Sequence, residues 1–194
     1  QIRIFDHYAI FKIHYSWEGV MKKSFMLLCV LMSMVGYSKV IDNLKDVRAD
    51  WVPFSDQVMG GISEVNVFEL EEDGISFYRL EGNVSTENNG GFIQLRAGVN
   101  LRNKNIEGIR IKVRGNNNEY YLHLRSPRML PWNYYTAKFY ASEEWMVVDL
   151  PLSSFEYSRD TSKSFNSSKI QSIGLVAYGK DFFAQVDLAE VELY

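Results

Sequence analysis

Residues 109–125 read I-R-I-K-V-R-G-N-N-N-E-Y-Y-L-H-L-R. In the first six, Ile109, Ile111 and Val113 share one side of an extended chain, and Arg110, Lys112 and Arg114 share the other. After the turn formers Gly115-Asn116-Asn117-Asn118, Tyr120, Leu122 and Leu124 alternate with Tyr121, His123 and Arg125. Successive side chains of a strand point to opposite faces, so strict alternation marks a half-buried strand and argues against a helix. The C-terminal run repeats the pattern: Ala184, Val186 and Leu188 alternate with Gln185 and Asp187, and Val191 and Leu193 resume it.

Working outward, further strands are expected at about 62–70, 75–83, 91–97, 134–140, 145–150 and 171–178. Turn formers separate them, among them Glu72-Asp73-Gly74 and Gly179-Lys180-Asp181. About nine short strands without an amphipathic helix predict an all-β fold, an antiparallel β-sandwich or jelly roll. The Ser- and Asn-rich segment Ser158–Lys169 reads as a long surface loop.

Two strands are entered through double glycines. Residues 55–64 read S-D-Q-V-M-G-G-I-S-E and residues 88–96 read N-N-G-G-F-I-Q-L-R. Glycine in a regular element costs roughly 0.5–1 kcal/mol relative to alanine, so a pair needs a reason: a positive φ, a bulge, or close backbone approach. Two readings stay open on the residues alone. One is a pair of independent tight turns. The other brings Met59-Gly60-Gly61 and Gly90-Gly91-Phe92 together as one structural motif, with Asp56, Asn88 and Asn89 supplying partners to buried backbone donors.

The N-terminal part carries a different signal. Residues 21–38 combine Met21, Lys22 and Lys23, an apolar run from Phe25 to Val35, and small residues at Gly36 and Ser38. That is the pattern of a secretory signal peptide, and the run is shorter than the roughly 20 residues a bilayer demands. Residues 1–20 precede this start and read as an extension of the gene model. Residues 39–194 are then a single exported domain, periplasmic or extracellular, with no stable membrane span after cleavage. The short Lys-Lys start has a bacterial look. The alternative is membrane anchorage through an uncleaved 25–36. Of the 21 basic and 24 acidic residues, four basic and two acidic precede residue 39, which leaves 17 against 22. Such an acidic domain argues against nucleic acid as a partner. Cys29 is the chain's single cysteine, so the exported part has none and relies on its core.

Little catalytic chemistry is visible. His123 is the one histidine after residue 38, too few for a His/Cys zinc site. Asp56, Asp149 and Asp187 are free candidates for a calcium site, and no metal is assigned. There is no G-x-S-x-G, no Cys/His arrangement and no phosphate-cradling glycine loop, hence no cofactor. Glu143 and Glu144 are adjacent, so in a strand they point to opposite faces and do not form a glycosidase pair. The sequence therefore reads as non-enzymatic. Binding chemistry remains: Trp132 and either Tyr134 or Tyr135 in P-W-N-Y-Y, with Tyr135 taken as the candidate, offer aromatic rings to a sugar or a protein partner, and Asn116, Asn117 and Asn118 offer hydrogen bonds to hydroxyls.

Five stretches occur in a fixed order: S-D-Q-V-M-G-G-I-S-E, N-N-G-G-F-I-Q-L-R, R-G-N-N-N-E-Y-Y-L-H-L-R, W-M-V-V-D-L-P-L-S-S-F and S-I-G-L-V-A-Y-G-K. In these the chain, from about Trp51 to Tyr194, resembles the complex I intermediate-associated protein 30 family. It departs at Gly115-Asn116-Asn117, where the family usually has Gly-Asp-Gly. The resemblance implies a galactose-binding-like jelly roll. It also implies a non-catalytic role, since the mitochondrial members are assembly factors for NADH:ubiquinone oxidoreductase. Together these predict a protein-binding assembly or scaffolding factor in the cell envelope. The alternative is an exported carbohydrate-binding module, since jelly rolls commonly bind sugar.

Overall fold

The β-rich reading of residues 109–125 holds, but the two strands do not pair with each other. β6 (Gly108–Gly115) and β7 (Asn118–Arg125) lie in opposite sheets of a sandwich. The computed structural model describes residues 38–101, 106–127, 129–130, 132–159 and 169–194. The signal-peptide and extension readings and most of the Ser158–Lys169 loop lie outside the described residues.

Twelve strands are present among the described residues. The first sheet contains β3 (Asn66–Glu72), β4 (Ile75–Val84), β12 (Phe182–Leu193), β6 and β9 (Met146–Pro151), in that order, with β1 (Lys39–Asp42) also pairing β12. The second runs β10 (Glu156–Tyr157), β8 (Tyr135–Ala141), β7, β11 (Ser172–Tyr178), β5 (Phe92–Gly98), β2 (Trp51–Ser55). Every pairing is antiparallel. The fold is the all-β jelly-roll sandwich expected.

The alternation seen in sequence sets the core. Ile109, Ile111 and Val113 from one sheet face Tyr120, Leu122 and Leu124 from the other, and all six are essentially inaccessible. Burying a side chain of this size contributes about 1.5–3 kcal/mol. The turn between β6 and β7 is a corner between sheets, and its asparagines hold it closed. Asn116 Nδ2 donates to the Phe183 carbonyl at 2.7 Å, and Asn116 Oδ1 accepts from the buried Tyr120 hydroxyl at 2.5 Å. Asn117 Nδ2 donates to Glu143 at 2.8 Å, and Asn118 accepts from Lys180 at 3.0 Å. These amides are spent internally, which corrects their reading as donors for a ligand's hydroxyls.

Turn chemistry is local. Asp73 and Gly74 both have positive φ (51° and 76°), as the two-residue loop of the β3–β4 hairpin requires. In β12 the parity of the apolar positions changes between Leu188 and Val191. A bulge between Leu188 and Glu190 absorbs the extra residue and keeps both ends of the strand facing the core. β2, W-V-P-F-S, contains Pro53, which is tolerated because β2 is an edge strand.

Candidate functional site

The two glycine loops meet on one carboxylate. Asp56 opens a short 3-10 turn (Asp56–Met59) that Gly60 ends in the left-handed region at φ 91°. Its carboxylate is inaccessible to solvent. Oδ1 accepts from the Ser63 N–H (2.9 Å); Oδ2 accepts from the Ser63 hydroxyl (2.5 Å), the Gly91 N–H (2.5 Å) and the Phe92 N–H (3.2 Å). A Cβ on Gly90 would sit 2.5 Å from Asp56 Oδ2, and one on Gly61 would overlap the Asp56 carboxylate. Each pair thus contributes the glycine that lets backbone close onto Asp56. Burial alone would raise the Asp56 pKa, but the hydrogen bonds from Gly91, Ser63 and Phe92 outweigh it and hold the carboxyl below its usual range. Asn88 and Asn89 are exposed and adopt positive φ (55° and 58°). They shape the turn, and it is Asp56 that meets the buried donors.

The three aspartates considered for calcium are all engaged. Asp56 is filled as above. Asp149 holds Arg110 through two bonds of 2.6 and 2.8 Å. Asp187 is buried in the first sheet and takes Arg79 (2.7 and 2.8 Å) and Arg114 (2.7 Å). Arg114 also pairs with Glu72 and lies 4.7 Å over the Trp145 ring and 5.0 Å over Phe77. This network borders a cavity of about 510 Å³ that also touches Leu70, Glu71 and Glu143. Both of its arginines are paired within the protein, so the network reads as structural.

The aromatic candidates separate by parity. Tyr135 faces the core, 5.2 Å from the Tyr157 ring, which removes it as a surface anchor. Trp132 is half exposed, with Arg159 5.5 Å from its ring. Tyr134, one residue before Tyr135, lies flat on His123 at 3.9 Å with 13° between the planes.

That stack lies on the outer face of the second sheet, where the unsatisfied chemistry collects. His123 also meets Tyr178 at 6.3 Å and Tyr121 at 6.4 Å, and Tyr121 and Tyr178 pack edge-on at 5.7 Å. On the rung formed by register, Arg96 pairs with Gly174, Gly174 with His123, and His123 with Thr136. Gly174 is bare because the Gln94 amide lies over it, where any Cβ would collide. Among the described residues, three buried side-chain atoms have no hydrogen-bond partner: His123 Nε2, Thr136 Oγ1 and Asn133 Oδ1. His123 and Thr136 are opposite one another, and Asn133 precedes Tyr134. Buried polar atoms are normally paired, and an orphan costs about 1–3 kcal/mol. The sequence did not flag this cluster, because its rings and amides come from β5, β7, β11 and the loop before β8.

Burial drives the His123 pKa down to about 3, with Arg125 adding to the effect. Burial, then Tyr178, pushes the Tyr134 hydroxyl up to about 12. His123 is therefore neutral near pH 7. An unfolded imidazole titrates near 6.5, so between about 6.5 and 3 the unfolded chain binds a proton that the folded one excludes. Stability is fully present above about pH 6.5 and falls as pH drops, by at most about 1.4 kcal/mol per unit. A loss on the order of 2–3 kcal/mol between pH 6.5 and 4.5 is expected in urea titrations. His123→Gln should remove that slope, and an unchanged slope in the variant would contradict a buried neutral imidazole.

The sandwich is similar to solved carbohydrate-binding modules. The family 11 module of the cellulosomal cellulase Lic26A-Cel5E of Clostridium thermocellum matches at 15% identity and a TM-score of 0.66, over 81% of this chain and 94% of that one. The family 11 module from Clostridium thermocellum in complex with a β-1,3-1,4-mixed-linked tetrasaccharide matches at 15% and 0.66, over 80% and 94%. A family 30 carbohydrate-binding module matches at 13% and 0.51, over 81% and 87%. At these identities the likeness shows a shared galactose-binding-like fold. No curated protein sequence matches the chain. The profile of Complex I intermediate-associated protein 30 matches residues 42–186, a span that holds both glycine loops and the Asp56 they enclose. That match covers well over half of the sequence, and the chain belongs to the Complex I intermediate-associated protein 30 family.

Proposed function

We propose that the chain is a non-catalytic binding domain that holds a carbohydrate across the outer face of its second sheet. The observation that carries this reading is the set of buried, unpartnered polar atoms on His123, Thr136 and Asn133 beside the Tyr121, Tyr134 and Tyr178 rings. A sugar's C–H faces would lie on the rings, and a small side-chain movement would open the enclosed polar atoms to its hydroxyls, the combination of apolar walls and few placed polar groups that ligand sites use. The likeness to a module holding a tetrasaccharide supports the reading as an analogy of fold. A histidine whose pKa lies near 3 is poorly matched to proton transfer near neutral pH, which supports binding over catalysis. The signal pattern at 21–38 supports a place in the cell envelope, and no helix among the described residues is long and apolar enough to cross a membrane.

The test is calorimetry against a panel of soluble glycans. Tyr134→Ala and Tyr178→Ala should each weaken binding at least about fivefold, since a stacked aromatic contributes roughly 1 kcal/mol or more. Phe68→Ala, exposed on the first sheet, should leave binding unchanged. Binding that survives both tyrosine variants would move the ligand elsewhere.

A second reading is a protein-binding assembly or scaffolding role, which family membership supports. Val58, Met59 and Ile62 are 72%, 58% and 46% exposed on a tip that the Asp56 clasp holds in place. Rigid exposed apolar residues suit a protein contact. Failure of every glycan, with a stoichiometric envelope protein released by Met59→Ser, would favour this role.

A further inference from the structure

The outer face of the second sheet ends in a pocket that the mixed aromatic and amide surface does not account for. Arg96, Arg125, Ser126, Met129, Gln171 and Ser172 border a cavity of about 200 Å³. Arg48, Arg79, Arg110 and Arg114 are all ion-paired. Among the described residues Arg96, Arg125 and Arg159 have no carboxylate partner, and the first two line this pocket. Both are nevertheless held in place. Arg125 Nη2 donates to the Leu130 carbonyl at 2.9 Å, and the Arg96 guanidinium lies 4.7 Å over the Phe54 ring. Burial, followed by the charge of Arg96, lowers the Arg125 pKa, so the two cations feel one another. Placing like charges together costs free energy, and here it happens in a domain whose acids outnumber its bases. Arg96 also shares a rung with His123 and Thr136, two of the three residues with unpartnered atoms.

We propose that this pocket recognises a carboxylate on the bound glycan, so that the ligand is an acidic polysaccharide rather than a neutral one. This rests on the carbohydrate reading above and specifies it. A planar guanidinium presents paired N–H donors that match a carboxylate, and a second guanidinium beside it supplies the remaining charge. The anion relieves the repulsion between the arginines, at the end of the rung that carries the aromatic cluster.

Affinity electrophoresis and calorimetry of the purified protein would compare polygalacturonate, its fully methyl-esterified form, mixed-linked β-glucan and poly-glutamate. The expected result is at least tenfold tighter binding to polygalacturonate than to its methyl ester. Arg96→Gln and Arg125→Gln should each erase most of that preference without moving the melting temperature, and Arg48→Gln should preserve it. Should one variant unfold, Arg96→Lys and Arg125→Lys keep the charge and should keep part of the preference. Equal binding of acid and ester, unaffected by the arginine variants, overturns the proposal while the carbohydrate reading stands. Preference for poly-glutamate overturns it in favour of an acidic protein segment. Absence of binding to every glycan overturns both the proposal and the reading beneath it.

Discussion

Asp56→Ala is expected to cost about 3–5 kcal/mol of folding stability, because it strands the Ser63, Gly91 and Phe92 N–H groups inside the protein. In a domain of this size that is a fall of roughly 10 °C in melting temperature. Asp56→Asn should lose somewhat less, since one amide oxygen still accepts while its NH₂ faces donors. Gly61→Ala and Gly90→Ala test the same closure from the other side, because each places a Cβ against the carboxylate. Gly91→Val acts differently. Its Cβ would meet Thr86 at an ordinary 3.4 Å, so its cost, above about 2 kcal/mol, comes from φ of 120°. Thermal melts of the six proteins, wild type included, decide the matter. A melting temperature within about 3 °C of wild type for Asp56→Ala would mean that the two loops do not depend on the shared acid.

Asp187→Ala should be nearly as damaging, at about 3–5 kcal/mol. The change leaves the Arg79 and Arg114 guanidiniums, 25% and 19% exposed, without the carboxylate that both contact. They sit against Phe77, which is only 2% exposed although it points away from the core. Asp149→Ala is the contrast. Its pair with Arg110 is 47% and 42% exposed, and such surface pairs contribute about 0–1 kcal/mol. Urea titrations should therefore separate the two aspartates by several-fold in lost stability. Equal, small losses would show that the Asp187 network is a surface feature.

The alternation of apolar residues made most strands legible, because period-two patterning is what a half-buried strand requires. β2 was not, since Pro53 argues against a strand until its edge position is known. Nor did the pattern say that β6 and β7 diverge into different sheets, because pairing is set by partners distant in sequence. The double glycines were legible as a costly device. Their purpose depended on Asp56, whose role the residues alone left open between binding and structure. The choice between Tyr134 and Tyr135 was a matter of parity, fixed by the pairing of Tyr135 with Leu124 and Tyr157. His123 read as an ordinary strand residue. Its burial depends on rings brought from β11 and the loop before β8, which no local pattern encodes.

The placement of β12 bears on the order of events during synthesis. β12 is the last strand along the chain, yet it pairs with β4, β6 and β1. As the ribosome works, β3–β4 can close as a local hairpin and β6 can pair with β9, but the two pairs are not joined, and β1 has no partner, until residues 182–193 are available. Their apolar faces wait on contacts from far along the sequence, the situation that slows folding and exposes sticky surface. A nascent chain stalled short of β12 should therefore stay unfolded and open to chaperones.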